Sequence, residues 1–304
     1  MPRLFYCDHC PIPLPPGHKF PIAKYARLRE ALQADGFYTL EPAPPAGPEA
    51  IQLAHDPAYV RAFLEGTLDP RAMRKIGFPW SPELVRRTLC SVGGTLAAAR
   101  DALSGGFGGT LAGGTHHAFP AEGAGFCVFN DLAVAIRKLG RRAAVIDLDV
   151  HQGDGTAAIF ENHPGVLTVS LHGKHNFPFR KQRSKVDIAL EDGTGDAQYL
   201  ASLASALPLV TDFGPEIVFY QSGVDALAGD RLGRLSLTHS GLYERDCMVF
   251  EKCRTAHFPV VVTLGGGYAE PIENTVLAHV NTFRAAGEVL AKMQPFGLRE
   301  RLER

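Results

Sequence analysis

No stretch of this sequence is apolar over the ~18 residues that a membrane-spanning helix needs. The opening residues, Met1 to Asp8, lack the apolar core of a secretory signal, so the expected location is cytoplasmic, with no membrane partner. Excess charge of one sign is also missing. There are 31 Lys+Arg against 32 Asp+Glu, a formal net charge of −1, and no basic tail. That balance excludes direct nucleic-acid binding by bulk charge. Cysteine is sparse and scattered, at Cys7, Cys10, Cys90, Cys127, Cys247 and Cys253, which in so long a chain is no disulfide framework. Cys7 and Cys10 form one CxxC, but no second pair at similar spacing completes a structural zinc site, so they read as reduced thiols. No internal repeat is found.

What is present is material for a sizeable core, since 45% of the residues are hydrophobic. Short, β-branched, almost continuously apolar runs read as strands covered on both faces: Ala143–Leu148, Val166–Leu171, Glu216–Gln221 and Phe258–Leu264, with Gly109–Ala112 as a further candidate. Helical stretches lie between them at Gly155–Asn162, Ala197–Leu209 and Ser240–Thr255, and Asn274–Leu290 follows the last strand. Upstream, Ile22–Gln33, Pro57–Glu65 and Pro82–Leu103 also read as helical, the last with Ser81 as N-cap. This alternation predicts an α/β fold: a parallel central sheet with helices on both faces. The Pro-rich stretch Pro42–Pro48 reads as a surface loop rather than a linker, so residues 1–304 are expected to form a single domain.

Ligands of open α/β sheets bind beyond the carboxyl ends of the strands, and the polar residues collect there. Gly109–Ala112 leads into Gly113–Pro120 (GGTHHAFP), and Ala143–Leu148 runs into Asp147–Gly155 (DLDVHQGDG). Glu216–Gln221 is followed by Ser222–Asp225 (SGVD), and the last strand by Gly265–Tyr268 (GGGY). Asp147, Asp149 and His151 are spaced by two, so on an extended segment they share a face. Two carboxylates and an imidazole crowded together call for a cation. Asp149, His151 and Asp225 supply three N/O ligands, the number of a catalytic zinc site that keeps a place for water. Beside such a site, His116 and His117 suit general acid–base work. Asp147 and Asp154 are candidates to hold their Nδ1 protons. The glycines before Tyr268 have neither the spacing of a P-loop nor the following Lys-Ser/Thr. They read as a tight turn presenting a phenol able to donate to an oxyanion.

These residues resemble the zinc-dependent histone deacetylase family of the arginase/deacetylase superfamily. The similarity runs in order through HKFP (His18–Pro21), AHDPAYV (Ala54–Val60), GGTHHA (Gly113–Ala118), GFCVFND (Gly125–Asp131), DLDVHQGDG, VSLH (Val169–His172), QSGVD (Gln221–Asp225), GDRLGRLSLT (Gly229–Thr238) and LGGGY (Leu264–Tyr268). Compact length, GDRLGRLSLT and the loop around His175–Pro178 most resemble the class IV branch and its bacterial relatives. The resemblance implies one Zn²⁺ per chain on Asp149, His151 and Asp225. It pairs His116 with Asp147 and His117 with Asp154, and makes Tyr268 the transition-state tyrosine. It also implies that the Gly125 carbonyl accepts from the substrate amide, and that Phe126 and Phe177 line the acyl-lysine channel. A monovalent cation, K⁺ or Na⁺, is implied at Asp147, Asp149, His151, Ser170 and Leu171, with a second at the backbone of Phe160, His163 and Val166. The implied function is hydrolysis of N-acyl-lysine amides, with acetylated polyamines or another small amide as the alternative. Oligomeric state is left open.

A two-metal manganese ureohydrolase of the arginase type needs carboxylates where Gly153 and Gly223 stand. A non-catalytic acyl-lysine module is expected to lack a ligand or the tyrosine, and none is missing. Gly113, Gly114, Gly123 and Gly125 bracket the tandem histidines, which predicts apolar space beneath the metal for acyl chains longer than acetyl. The class IV resemblance implies long fatty acyl groups. The basic run Arg180–Lys185 reads as a solvated loop.

Overall fold

The computed structural model describes residues 1–291. Eight strands form one sheet: β1 (Arg3–Tyr6), β2 (Thr39–Pro42), β3 (Phe107–Thr110), β4 (Ala143–Asp147), β5 (Val166–Gly173), β6 (Val186–Leu190), β7 (Ile217–Gln221) and β8 (Val260–Thr263). Their order is β2-β1-β3-β8-β7-β4-β5-β6, and every pairing is parallel. Every residue of β4, β5, β7 and β8 is buried, as their unbroken apolar runs require. Edge strand β6 instead alternates between exposed and covered positions.

The helices are α1 (Ala23–Asp35), α2 (Pro48–Ile51), α3 (Pro57–Glu65), α4 (Pro70–Ile76), α5 (Pro82–Gly105), α6 (Asp131–Leu139), α7 (Asp154–Phe160), α8 (Asp196–Phe213), α9 (His239–Thr255) and α10 (Ile272–Ala291). α1, α10, α9 and α8 pack in succession as one layer, and α5, α6 and α7 as the other. The long α5 starts where the sequence marks it. The Ser81 hydroxyl accepts from the Leu84 N–H at 3.1 Å, and Pro82 occupies the first turn, where no N–H is needed. Its inner face, from Leu84 to Ala102, packs on β1, β3 and β8.

Several elements escaped the sequence reading. β1, β2 and β6 are short or half-covered, so they carry no continuous apolar run. α6 follows directly on the GFCVFND segment and is capped by Asn130, whose side chain accepts from Ala133 N–H at 2.9 Å. β3 lies two residues earlier than expected, and α8 continues through Pro208 to Phe213. Pro42–Pro48 is a surface segment, but Ala43 and Ala46 pin it by being buried.

Candidate active site

Four neighbouring central strands, β3, β8, β7 and β4, each deliver one loop to the same end of the sheet. The spacing argument holds only in part. The strand ends at Asp147, and the following residues leave the extended path. Asp147 consequently turns to His116, while Asp149 and His151 turn to Asp225.

Ligand atoms of Asp149, His151 and Asp225 all lie within 4.8 Å of one another, and all three residues are buried. His151 Nδ1 is 3.0 Å from Asp149 Oδ1 and 3.1 Å from Asp225 Oδ2. Backbone amides fix the far sides of both carboxylates. Gly266 N–H donates to Asp149 Oδ2 at 2.7 Å, and Val150 N–H to Asp225 Oδ1 at 2.9 Å. Burial opposes the His151 imidazolium, but Asp149 and Asp225 outweigh it and raise its pKa to about 10. Burial and the Asp149 charge push Asp225 up to about 7. Two buried carboxylates facing one ring nitrogen make a site that a divalent cation with N/O preference fits better than a proton does.

The tandem histidines stand beside it. His116 Nδ1 lies 2.8 Å from Asp147 Oδ2, and His117 Nδ1 lies 2.6 Å from Asp154 Oδ1. Their Nε2 atoms face each other at 3.1 Å. Burial works against a charged His116, yet Asp147 and Asp149 raise its pKa to about 9. Burial and the His116 charge lower His117 to about 4. The Tyr268 phenol is pushed well above its ordinary range by burial and by Asp225 and Asp149, so it stays protonated.

The walls are aromatic. The Phe177 ring packs edge-on against His117, with centroids 4.9 Å apart, and Phe126 lies 6.2 Å from Tyr268. Gly125 sits at φ +53°, and a Cβ there would lie 2.8 Å from the His117 ring and 3.3 Å from Phe177. Any larger residue would therefore enter the passage between them. Gly125, Phe126, Phe177, His116, His117, Asp149, His151 and Tyr268 all line one cavity of about 720 Å³.

Gly113, Gly114 and Gly125 line this cavity and Gly123 does not, and each of these glycines is tightly packed where a side chain would stand. A Cβ on Gly113 would meet Asp131 and Thr95, one on Gly114 would meet Gln221, and one on Gly123 would meet the Cys127 carbonyl, Ile76 and Tyr59. A side chain at any of these three positions would therefore collide with its neighbours. The same cavity also reaches α5, at Leu84, Arg87, Thr88 and Ser91.

Asp147 sits in register with Ser170, whose hydroxyl lies 3.0 Å from His172 Nδ1. The Phe160 and His163 carbonyls already accept backbone N–H groups from His163 and Val166. Among the cysteines, Cys10 lies 3.5 Å from Cys90, with His9 3.9 Å from Cys90. All six thiols are free.

Sequence reasoning missed the supports. Asp131 accepts from Gly114 and Thr115 N–H at 3.1 and 2.7 Å and so shapes the turn before His116. Its only signal was a place at the end of GFCVFND. Buried Lys24 donates to the Gly265 carbonyl at 3.2 Å, and Asp230 accepts from Tyr268 N–H at 2.6 Å. Fully buried Arg245 donates to the Gly223 carbonyl at 2.6 Å, beneath Asp225. No local pattern marks Lys24 or Arg245.

The chain matches the histone deacetylase domain over residues 18–283. It is 46% identical, over 95% of its length and 99% of the other's, to an uncharacterized protein of Picosynechococcus. To histone deacetylase 2 of Arabidopsis thaliana it is 31% identical, over 84% of this chain and 73% of that one. Its fold superposes on acetylpolyamine aminohydrolase from Burkholderia pseudomallei with a TM-score of 0.80, at 21% identity, covering 95% of this chain and 99% of that one. Sequence and fold thus agree, and the chain belongs to the histone deacetylase family of hydrolases.

Proposed function

We propose that this protein is a zinc-dependent hydrolase of N-acyl-lysine amides, with one zinc ion per chain held by Asp149, His151 and Asp225. The observation that carries the reading is the placement of the buried Asp149–His151–Asp225 triad next to a histidine pair whose Nδ1 atoms are each held by a carboxylate. Bound there, zinc supplies Lewis acidity toward the amide carbonyl and makes a water acidic enough to ionise near neutral pH.

The chain's own groups do the rest. Neutral His117, oriented by Asp154, takes the proton of the attacking water at Nε2. Charged His116, held by Asp147, stabilises that transfer and holds a proton for the leaving amine. The Tyr268 hydroxyl donates to the oxyanion as it forms. The Gly125 carbonyl accepts the substrate's amide N–H, while Phe126 and Phe177 flank the alkyl stem and exclude water. Asp147 and Ser170, with the backbone of Asp149, His151 and Leu171, would hold a structural K⁺ or Na⁺.

Two-metal arginase chemistry finds no support. Side chains at Gly153 and Gly223 would run into Asp147 and Asp149, at 2.3 Å in each case. Acetylpolyamines fit less well than acyl-lysine. Of the cations lining the cavity, Lys75, Arg231 and Arg234 are paired with Glu122, Glu270 and Asp192, which leaves Lys19 and Arg87 to meet a polycation with like charge. The test is a kinetic comparison, on zinc-loaded protein, of acetyl-lysine peptide, N-acetylated spermidine and arginine. Turnover of the peptide with the highest kcat/KM is expected. Failure to hydrolyse any acyl-lysine peptide would overturn the reading.

A further inference from the structure

The cavity does not stop at the metal triad. Its inner part runs along α5, bounded by Leu84, Arg87, Thr88 and Ser91 of that helix, with Tyr25 and Ile12 also in the lining. This part adjoins the reacting groups. Ser91 Oγ accepts from Gly113 N–H at 3.2 Å, in the turn that carries His116. Arg87 lies one helical turn before Ser91, on the same face. Lys24, next to Tyr25, donates to the Gly265 carbonyl in the turn that carries Tyr268.

Arg87 is an anomaly in that wall. It is only 7% exposed, yet its Nη1 has no hydrogen-bond partner and it has no ion-pair carboxylate among the described residues. Its guanidinium carbon stands 4.4 Å from the centre of the Tyr25 ring. The other buried cation nearby, Lys24, is committed to the carbonyls of Gly265 and Gly267. A buried guanidinium without an anion is costly, and a carboxylate is its best-matched partner through paired N–H···O bonds. An uncharged alkyl tail would desolvate it further and return nothing.

The geometry points to a subsite for the far end of the acyl group, in which Arg87 pairs with a terminal carboxylate, so that the preferred substrates are lysines carrying short dicarboxylic acyl chains such as succinyl or glutaryl. This rests on the acyl-lysine hydrolase reading and names its substrate class. The chemistry is the same hydrolysis. Water adds at the acyl carbon, the amide C–N bond breaks, the amine nitrogen gains a proton, and the acyl group leaves as a dicarboxylic acid. Ile12 and Leu84 supply the apolar sides that the intervening methylenes need.

The test is kcat/KM on one peptide bearing acetyl-, butyryl-, succinyl- or glutaryl-lysine. Butyryl and succinyl share chain length and differ in the terminal carboxylate. Wild-type protein is expected to prefer succinyl or glutaryl over butyryl by about tenfold or more, the scale of one hydrogen bond to a charged group. Arg87→Gln should bring that ratio to one or below, and Arg87→Lys should keep part of it. The ratio cancels any general loss of activity. If Arg87→Gln does not fold, the wild-type series and Arg87→Lys decide. Butyryl equal to or better than succinyl in the wild type overturns the proposal, as does a ratio unchanged in both variants. Acetate inhibition that depends on Arg87, without selectivity for succinyl, also overturns it by assigning the guanidinium to the departing product. Loss of all acyl-lysine turnover marks failure of the hydrolase reading itself.

Discussion

The Nε2 atoms of His116 and His117 face each other at 3.1 Å, while Asp147 and Asp154 hold the opposite ring nitrogens. With both Nδ1 positions protonated, two bare lone pairs would confront one another. One proton between them removes the conflict. It belongs to His116, which has Asp147 and Asp149 nearby, and leaves His117 as the acceptor. The two neighbours in sequence are therefore inequivalent before any substrate arrives.

That inequivalence predicts unequal mutants. His117→Ala should lower kcat by about 10²–10⁴, the usual worth of a positioned general base. Asp154→Asn should act in the same direction by releasing the ring. Steady-state kinetics with circular dichroism as the folding control checks both, and a kcat for His117→Ala close to wild type would remove it as the base.

Tyr268→Phe should preserve metal content and fold while lowering kcat by about 10²–10³, since the phenol acts mainly when charge develops on oxygen. The backbone of Tyr268 is held by Asp230 independently of the phenol, so the loop should stay in place. Elemental analysis beside kinetics separates the two effects.

Chelation should abolish activity, and added zinc should restore it. Asp225→Ala should lose one bound ion per chain relative to wild type, because it removes a ligand and leaves His151 with one carboxylate. Two catalytic ions per chain in the wild type would contradict the three-ligand site.

Acid stability should depend on His55. Its Nε2 accepts from Asn130 N–H at 2.8 Å and its Nδ1 donates to the Phe119 carbonyl at 3.0 Å, so the ring is bound as the neutral form. Burial lowers its pKa from 6.5 to about 4. The unfolded chain therefore takes up the proton first as pH drops. The contribution is whole above the unfolded pKa and is lost as pH falls toward 4. It amounts to about 2 kcal/mol between about pH 7.5 and pH 5. Urea unfolding of His55→Gln should show a shallower acid loss than wild type, and parallel curves would count against this.

Much of the site was legible because each strand end carries its own short cluster. DLDVHQGDG, SGVD and GGTHHA place ligands and histidines within a few residues of an apolar strand, and a parallel sheet brings such ends together. The strands that escaped notice, β1 and β2, lie at one edge, where partial exposure removes the continuous apolar signal. Glycine content was informative only in part. Gly113 and Gly114 line the cavity, but how tightly they pack is set by Asp131 and Gln221 from distant segments.

By itself, then, the sequence determined the α/β class and marked the candidate metal triad, the histidine pair and Tyr268, because these depend on residue type and spacing at the ends of the strands. Only the tertiary structure decided that Lys24, Asp131 and Arg245 brace the loops, and that Arg87 stands in the cavity wall without an ion-pair partner among the described residues. Those facts depend on which segments pack together across the sheet, and a charge's partner, or lack of one, is fixed by that packing and not by its neighbours in the chain.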